Sequence, residues 1–364
     1  MKTSVPAPRS LNGALKVFFR AAVRVALSNP RQAAVFVRAL FWLGKAARRR
    51  TAFKRRGISV PPIIIYSITD RCNLACKGCY AQSFRAEADD ELDAGELRKV
   101  VEEARDLGVS FFVIAGGEPL LRPELAGILA DFPEIIFFVF TNGLLITEDW
   151  IRTLRRRRNI VPLLSLEGDR AMTDGRRGPG TYDRLLTLID ELRRRRIFFG
   201  VSLTLTRPHF STIISPDYTK SLVDAGCKFF LYLEYTPTTD GTEDWILTGE
   251  QRTRMREALP VYRAAHSALF IAVPWDEDDV GGCLSAGRGF IHINPKGDVE
   301  PCPFAPFSDT NLRNLSLKDA LQSKFLEAIR GIPELSRETG GGCVLWKERA
   351  RVSSLLQASR DASS

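Results

Sequence analysis

Acidic residues are missing from the first 57 positions, which hold fourteen Lys and Arg. The remaining chain carries 38 basic and 43 acidic residues, so the net charge of +9 belongs to a cationic arm on a mildly acidic body. No apolar run opens the sequence: "MKTSVPAPRSLNG" has neither the hydrophobic stretch nor the small-residue cleavage site of a secretory signal. Cysteines number seven, an odd count that excludes a fully paired disulfide framework. Together these absences set the expectation of a reducing cytosol, with thiols free or bound to metal. Histidine is scarce as well: His209, His266 and His292 are scattered and form no metal set. What remains is ordinary for a globular protein, with 45% apolar residues over 364 positions, enough for one large domain plus extensions.

The cationic arm, residues 1–57, reads as helical. "SLNGALKVFFRAAVRVALS" places Lys16, Arg20 and Arg24 at four-residue spacing, which lines them along one helical face. "SNPRQ" then breaks the run, with Ser28 or Asn29 as cap and Pro30 in the first turn of a second helix. That helix gathers Phe36, Leu40, Phe41, Trp42 and Leu43 between basic ends, but its apolar stretch is shorter than the roughly 20 residues that span a bilayer. A basic amphipathic pair of this kind suits an anionic membrane surface, and equally a cap on the main domain. A transit peptide has the same composition, and nucleic acid is the less favoured partner.

From residue 60 the pattern alternates between strand and helix. Strands are predicted at "PPIIIYSIT", "SFFVIAGG", "IIFFVFTN", "IVPLLSLEG", "FFGVSLTLT" and "CKFFLYLEY", with helices near 93–108, 122–131, from 147, 181–196 and 217–225. Six repeats with continuous apolar strands imply a parallel sheet buried on both faces, hence an open, partial (β/α)6 version of the TIM-like barrel. Active sites in such barrels lie at the C-terminal strand ends. The chemically distinctive residues fall there: "TDRCNLACKGCY" after the first strand, Gly116–Pro119 after the second, Asn142 after the third, Ser165 and Glu167 on the fourth, Glu234 on the sixth. Glu234, an acid in "FFLYLEYTP", is either paired by an Arg or free for substrate, and it is the candidate catalytic residue.

Cys72, Cys76 and Cys79 are spaced CxxxCxxC. Such spacing belongs to a disulfide, a zinc site or an iron–sulfur cluster, and three is an awkward number for the first two. With "AGGEPL" some 40 residues later, residues 60–240 resemble the radical SAM enzyme superfamily. The resemblance implies a 4Fe–4S cluster on Cys72, Cys76 and Cys79, with the iron lacking a thiolate left to S-adenosylmethionine. It further implies a 5′-deoxyadenosyl radical that abstracts hydrogen from substrate, and a reducing partner such as flavodoxin or ferredoxin. By the same resemblance, Gly116, Gly117, Glu118 and Pro119 hold the methionine amino group, Ser165 and Arg177 its carboxylate, and Asn142 the ribose or substrate. One letter departs from the family: an aromatic residue often precedes the third cysteine, where this chain has Gly78.

Beyond the barrel, residues 241–350 hold Cys283, Cys302 and Cys343, and residues 351–364 read as a tail. Thirteen residues separate Cys283 from Gly297 and four separate Gly297 from Cys302, which resembles the start of the SPASM and twitch extensions. "INPKGDVEPC" reads as a hairpin turning at Pro295–Gly297. The resemblance implies a second, auxiliary cluster closed by Cys343; buried thiols or zinc are the bland alternative. Cys227 precedes a buried strand and reads as a small hydrophobe. Three functions follow: hydrogen abstraction from a lipid or isoprenoid, maturation of a peptide or small metabolite, or a non-enzymatic zinc protein binding nucleic acid through the arm.

Overall fold

The structure is a computed structural model and describes residues 30–84, 90–337 and 343–361. The helix expected over residues 10–28 and its neighbouring cap lie outside the described residues.

Apolar, β-branched and aromatic segments form one nine-stranded sheet. Its strands are β1 (Ile63–Ser67), β2 (Phe111–Ala115), β3 (Ile136–Thr141), β4 (Ile160–Leu166), β5 (Gly200–Leu205), β6 (Phe229–Glu234), β7 (Leu269–Val273), β8 (Phe290–Ile293) and β9 (Val299–Glu300). The order is β7-β6-β5-β4-β3-β2-β1-β8-β9. Every neighbouring pair is parallel except β8 and β9. The partial barrel therefore has the six expected strands plus β7 on one edge and β8 on the other. Both additions come from residues beyond 240, so the sheet does not stop where the strand–helix repeats fade.

The helices used below are α1 (Pro30–Lys54), α2 (Ala94–Leu107), α3 (Leu125–Ala130), α4 (Glu148–Arg156), α5 (Arg170–Arg177), α6 (Thr181–Arg194), α7 (Pro216–Asp224) and α8 (Gly249–Ala265). Their starts follow local chemistry. Asp93 and Glu96 form a reciprocal capping box on α2, and Ser215 caps α7 with Pro216 in the first turn. At the other end of α2, Gly108 takes φ +97, and a Cβ there would lie 2.6 Å from the Ala46 carbonyl oxygen of α1. Arg49 donates to Arg105 O at 2.8 Å and Arg50 to Ser110 Oγ at 2.7 Å and to Gly108 O. Cations thus satisfy the carbonyls at the α2 C-terminus, where the helix dipole favours them. Among the described residues no helix is long and apolar enough to cross a membrane.

Two expectations need correction. The sheet is not buried evenly on both faces: side chains toward the helices, such as Ile64, Phe112, Phe137 and Phe230, are fully buried, whereas on the inner face Val161, Leu163, Phe229 and Leu269 form a small buried cluster and others, such as Ile65, Val113 and Phe140, are half-buried around a cavity. Nor is the C-terminus a loose tail. Residues 349–361 form a helix whose Val352 and Leu356 join the main core, and Ser359 bonds Asp309 at 3.1 Å.

Candidate active site

The cysteine loop leaves β1 at Ser67 and is fastened first to the loop after β2. The ladder continues past the strand ends: Ile68 N donates to Ala115 O, Gly117 N to Thr69 O at 2.7 Å, and Glu118 N to Arg71 O at 2.8 Å. The glycines are required by this zipper. A Cβ on Gly116 would lie 2.4 Å from Thr69 O, and one on Gly117 would lie 2.1 Å from Arg71 O. Their bareness thus lets backbone meet backbone. Pro119 is buried at the start of the next turn.

Glu118 is enclosed by the same strap. Its carboxylate accepts from Leu120 N at 3.1 Å, Thr141 Oγ1 at 2.9 Å and Asn142 N at 2.8 Å, while burial pushes its pKa up. Asn142 Nδ2 donates to Asn73 Oδ1 at 2.8 Å, a second tether on the cysteine loop. Ser165 is half-buried on the inner face of β4, opposite Ser202 in the sheet register.

The far side of the loop is held by α5. Lys77 N donates to Arg176 O at 3.0 Å and Arg176 Nε donates back to Lys77 O at 3.1 Å. Both Arg176 and Arg177 converge on Glu167, which is fully buried at the end of β4: Arg176 Nη1 at 2.6 Å from Oε2, Arg177 Nε at 3.0 Å from Oε1. Burial alone would raise the Glu167 carboxyl, but the two guanidiniums hold it below the usual range. Arg177 also reaches Cys76 Sγ at 4.0 Å, so one cation spans the carboxylate and the thiol loop. Changing Glu167 to Gln leaves two buried guanidiniums without their counter-charge. We expect a loss of about 3–5 kcal/mol of stability, read as a lower denaturant midpoint at unchanged slope. Because the folded pKa is depressed, this stabilisation is complete above the unfolded carboxyl value of about 4.3 and is lost as pH falls through the folded value.

Cys72, Cys76 and Cys79 line one cavity. Leu74 N–H donates to Cys72 Sγ at 3.4 Å, and burial pushes the Cys72 and Cys76 thiols up. Cys283, Cys302 and Cys343 line the same cavity, on the segments flanking β8 and β9, which adjoin β1 in the sheet. Interaction with Cys343, then burial, raises the Cys302 thiol, and interaction with Cys302 lowers that of Cys343. Burial drives Cys283 up to about 12. Among the described residues no three His, Cys, Asp or Glu side chains are gathered tightly enough for a single metal ion. Each triad is a set of soft, mutually interacting thiols on one wall, the donor chemistry of an iron–sulfur cluster. The hairpin leading to Cys302 forms as expected, with Asn294 N bonded to Asp298 O and Gly297 N to Asn294 O. Tyr80, next to Cys79, stacks edge-on against Phe304, two residues past Cys302, so aromatic rings occupy the space between the triads.

Gly78 has an explanation after all. It takes φ +62, and a Cβ there would lie 2.6 Å from Tyr235 Oη and 2.9 Å from Trp245. The Tyr235–Trp245 pair, rings 5.3 Å apart, fills the space over this letter. Of the other expectations, Glu234 lies on the cavity wall ion-paired with Arg252 at 3.0 Å; contact with substrate would require that pair to part. His292 is engaged at both ring nitrogens, by Ser67 Oγ at 2.8 Å and Glu300 Oε2 at 2.6 Å, which makes it a strut rather than a ligand. Cys227 is a buried small residue. Sequence reasoning missed Arg176, Asn73 and Glu277. Glu277 is half-buried near Cys283, accepts from Leu284 N at 3.1 Å, and is pushed up to about 7 by desolvation. The acid-rich "WDEDD" gave no means of choosing it.

Residues 66–210 match the Radical SAM superfamily model. The chain is 24% identical to AdoMet-dependent heme synthase of Methanosarcina barkeri over 309 residues, covering 78% of this chain and 88% of that protein. It is 26% identical to mycofactocin maturase MftC of Mycobacterium tuberculosis over 272 residues, covering 69% and 66%. Among solved structures, Streptococcus suis SuiB bound to S-adenosylmethionine shares the fold with a TM-score of 0.65 and 20% identity, over 80% of this chain and 72% of that one. With the CxxxCxxC loop at the first strand end of a partial parallel barrel, the chain belongs to the radical SAM superfamily of enzymes. The non-enzymatic alternative is thereby overturned.

Proposed function

We propose that the protein holds a 4Fe–4S cluster on Cys72, Cys76 and Cys79, with S-adenosylmethionine beside it, and abstracts hydrogen from an apolar substrate of the lipid or isoprenoid class. The observation that carries this reading is that the cysteine loop opens into a large cavity whose wall along the inner faces of the strands is mainly apolar. When bound, the cluster and S-adenosylmethionine supply a 5′-deoxyadenosyl radical able to take hydrogen from an unactivated carbon. The protein's part is to hold three thiols, through the β2 strap and α5, and to keep water from the reacting carbon. Ser165, with Ser202 and Thr204 further round the rim, offers hydroxyls to the polar end of S-adenosylmethionine, and Arg177 offers positive charge. Asn142, already tethered to Asn73, fixes the loop's height above the sheet.

We assign the auxiliary site to Cys283, Cys302 and Cys343. Replacing Cys302 with Ala should lower bound iron by one cluster's worth while leaving substrate-free cleavage of S-adenosylmethionine intact. Unchanged iron would identify these three as structural thiols. A second reading, maturation of a peptide or small metabolite, draws support from the similarity to mycofactocin maturase. Comparison of lipids, peptides and metabolites between a deletion strain and its parent separates the two. A lipid or isoprenoid that changes mass supports the first reading; a changed peptide with unaltered lipids replaces it with the second.

A further inference from the structure

The lower half of the barrel has no assigned role and an unusual surface. In a closed barrel, inward side chains interlock into a packed core. Here Ile65, Val113, Phe138, Phe140, Leu231 and Ile271 point inward but are only half-buried, while their sequence neighbours on the helix side are sealed. They line a cavity of about 1720 Å³. Ligand pockets commonly measure about 300–1,000 Å³, so room remains after a nucleoside-sized cosubstrate is seated. Along the strands the polar positions, Ser165, Ser202 and Thr204, lie toward the cysteine end, and the wall below them is hydrocarbon.

The cavity continues past the N-terminal strand ends to α1. Leu40, Leu43, Gly44 and Ala47, one stripe at helical spacing, line the same space, followed by Arg50 and Lys54. Phe36, from the same helix, packs on Val161, Leu163, Phe229 and Leu269 inside the barrel. The small residues at the centre of the stripe leave a gap there instead of a plug. On its outer face α1 exposes Val37 and Phe41, each 65% exposed, in a segment without an acidic residue.

We propose that the lower lumen is a hydrocarbon-chain site, which admits the acyl or prenyl tail of the substrate beneath α1 from an anionic lipid surface on which α1 rests. The inference rests on the radical-enzyme reading only for the fate of the chain; the site itself is defined by its wall. Five residues of strand span about 16 Å. At about 1.2 Å of advance per bond of an extended chain, that length takes roughly 13 bonds of tail between the mouth and the cysteine rim. Apolar burial drives entry, and the cations of the arm hold the mouth against anionic headgroups.

The test uses the full-length protein and cis-parinaric acid, whose fluorescence rises in apolar surroundings. Wild type should bind it and release it to unlabelled fatty acids, with affinity growing with chain length up to the lumen's span. Gly44→Trp should weaken binding at least about tenfold, because Gly44 lines the mouth and a Cβ there meets nothing within 4 Å, so the ring has the mouth to occupy. Val113→Trp, which fills the lumen from within, should do the same. Both should keep wild-type iron content and substrate-free cleavage of S-adenosylmethionine. Retained binding in both variants, or none in wild type, overturns the site; binding without any cleavage would instead sink the radical reading and leave the site standing. In the second arm, Val37→Glu/Phe41→Glu should lose co-sedimentation with phosphatidylglycerol vesicles yet still bind free parinaric acid. Sedimentation equal to wild type would overturn delivery from the membrane.

Discussion

Replacing Cys76 with Ala should abolish reductive cleavage of S-adenosylmethionine, and Cys72→Ala or Cys79→Ala should do likewise. The three thiols stand on one loop and face one cavity, and no other thiol lines that part of its wall among the described residues. Cys283, Cys302 and Cys343 influence one another, and on our proposal they hold a separate site, so they provide no substitute ligand. Anaerobic reconstitution, iron analysis and assay of 5′-deoxyadenosine check the outcome. Each variant should lose about one cluster of iron and all cleavage; full cleavage in any of them would remove the cluster assignment.

Gly117→Ala should be nearly as damaging, although it removes no ligand and adds one methyl group. The added carbon would sit 2.1 Å from Arg71 O and 2.6 Å from Arg71 C. Both are backbone atoms of the cysteine loop, so no side chain can swing aside; the loop itself must move. Displacing reacting groups by about 1 Å costs on the order of 100-fold in rate, and we expect a loss of cleavage at least that large, with reduced iron loading. Gly127→Ala, in α3 where a Cβ meets nothing within 4 Å, is the matched control and should behave as wild type. Equal activity of the two variants would show that the strap does not set the loop's position.

The parts of this architecture visible in the sequence were those with a local signature. Strand–helix alternation gave β1 to β6 and placed helices near 93–108 and 217–225, within a residue of where they start; their caps, Asp93 and Ser215, emerge from the structure. The cysteine spacing with "AGGEPL" gave the rim. What stayed hidden depends on distant pairing. β8 joins one edge of the sheet through residues some 200 apart, as in the pairing of Ile65 with His292, and β7 joins the other across the long α8 connection, as in Phe229 with Leu269. Their short apolar runs do not announce which edge they will find. The pairing of Glu167 with Arg176 and Arg177 is local, but nothing in the sequence says that α5 turns both guanidiniums back onto the strand end, although a buried acid needs a counter-charge. Gly116 and Gly117 were recognised as necessary, but the reason for them is packing against the cysteine loop. The half-empty lumen could not be read at all, because an inward apolar residue looks the same in a sequence whether it meets another side chain or a cavity.

The most direct test of the account follows the hydrogen atom. Full-length, reconstituted and reduced protein is incubated with S-adenosylmethionine and a total lipid extract from cells grown in deuterated medium. The account predicts 5′-deoxyadenosine carrying deuterium, taken from a lipid or isoprenoid carbon. Deuterium arriving only from the water-soluble fraction of the same cells, with the lipid extract yielding unlabelled product, would contradict it.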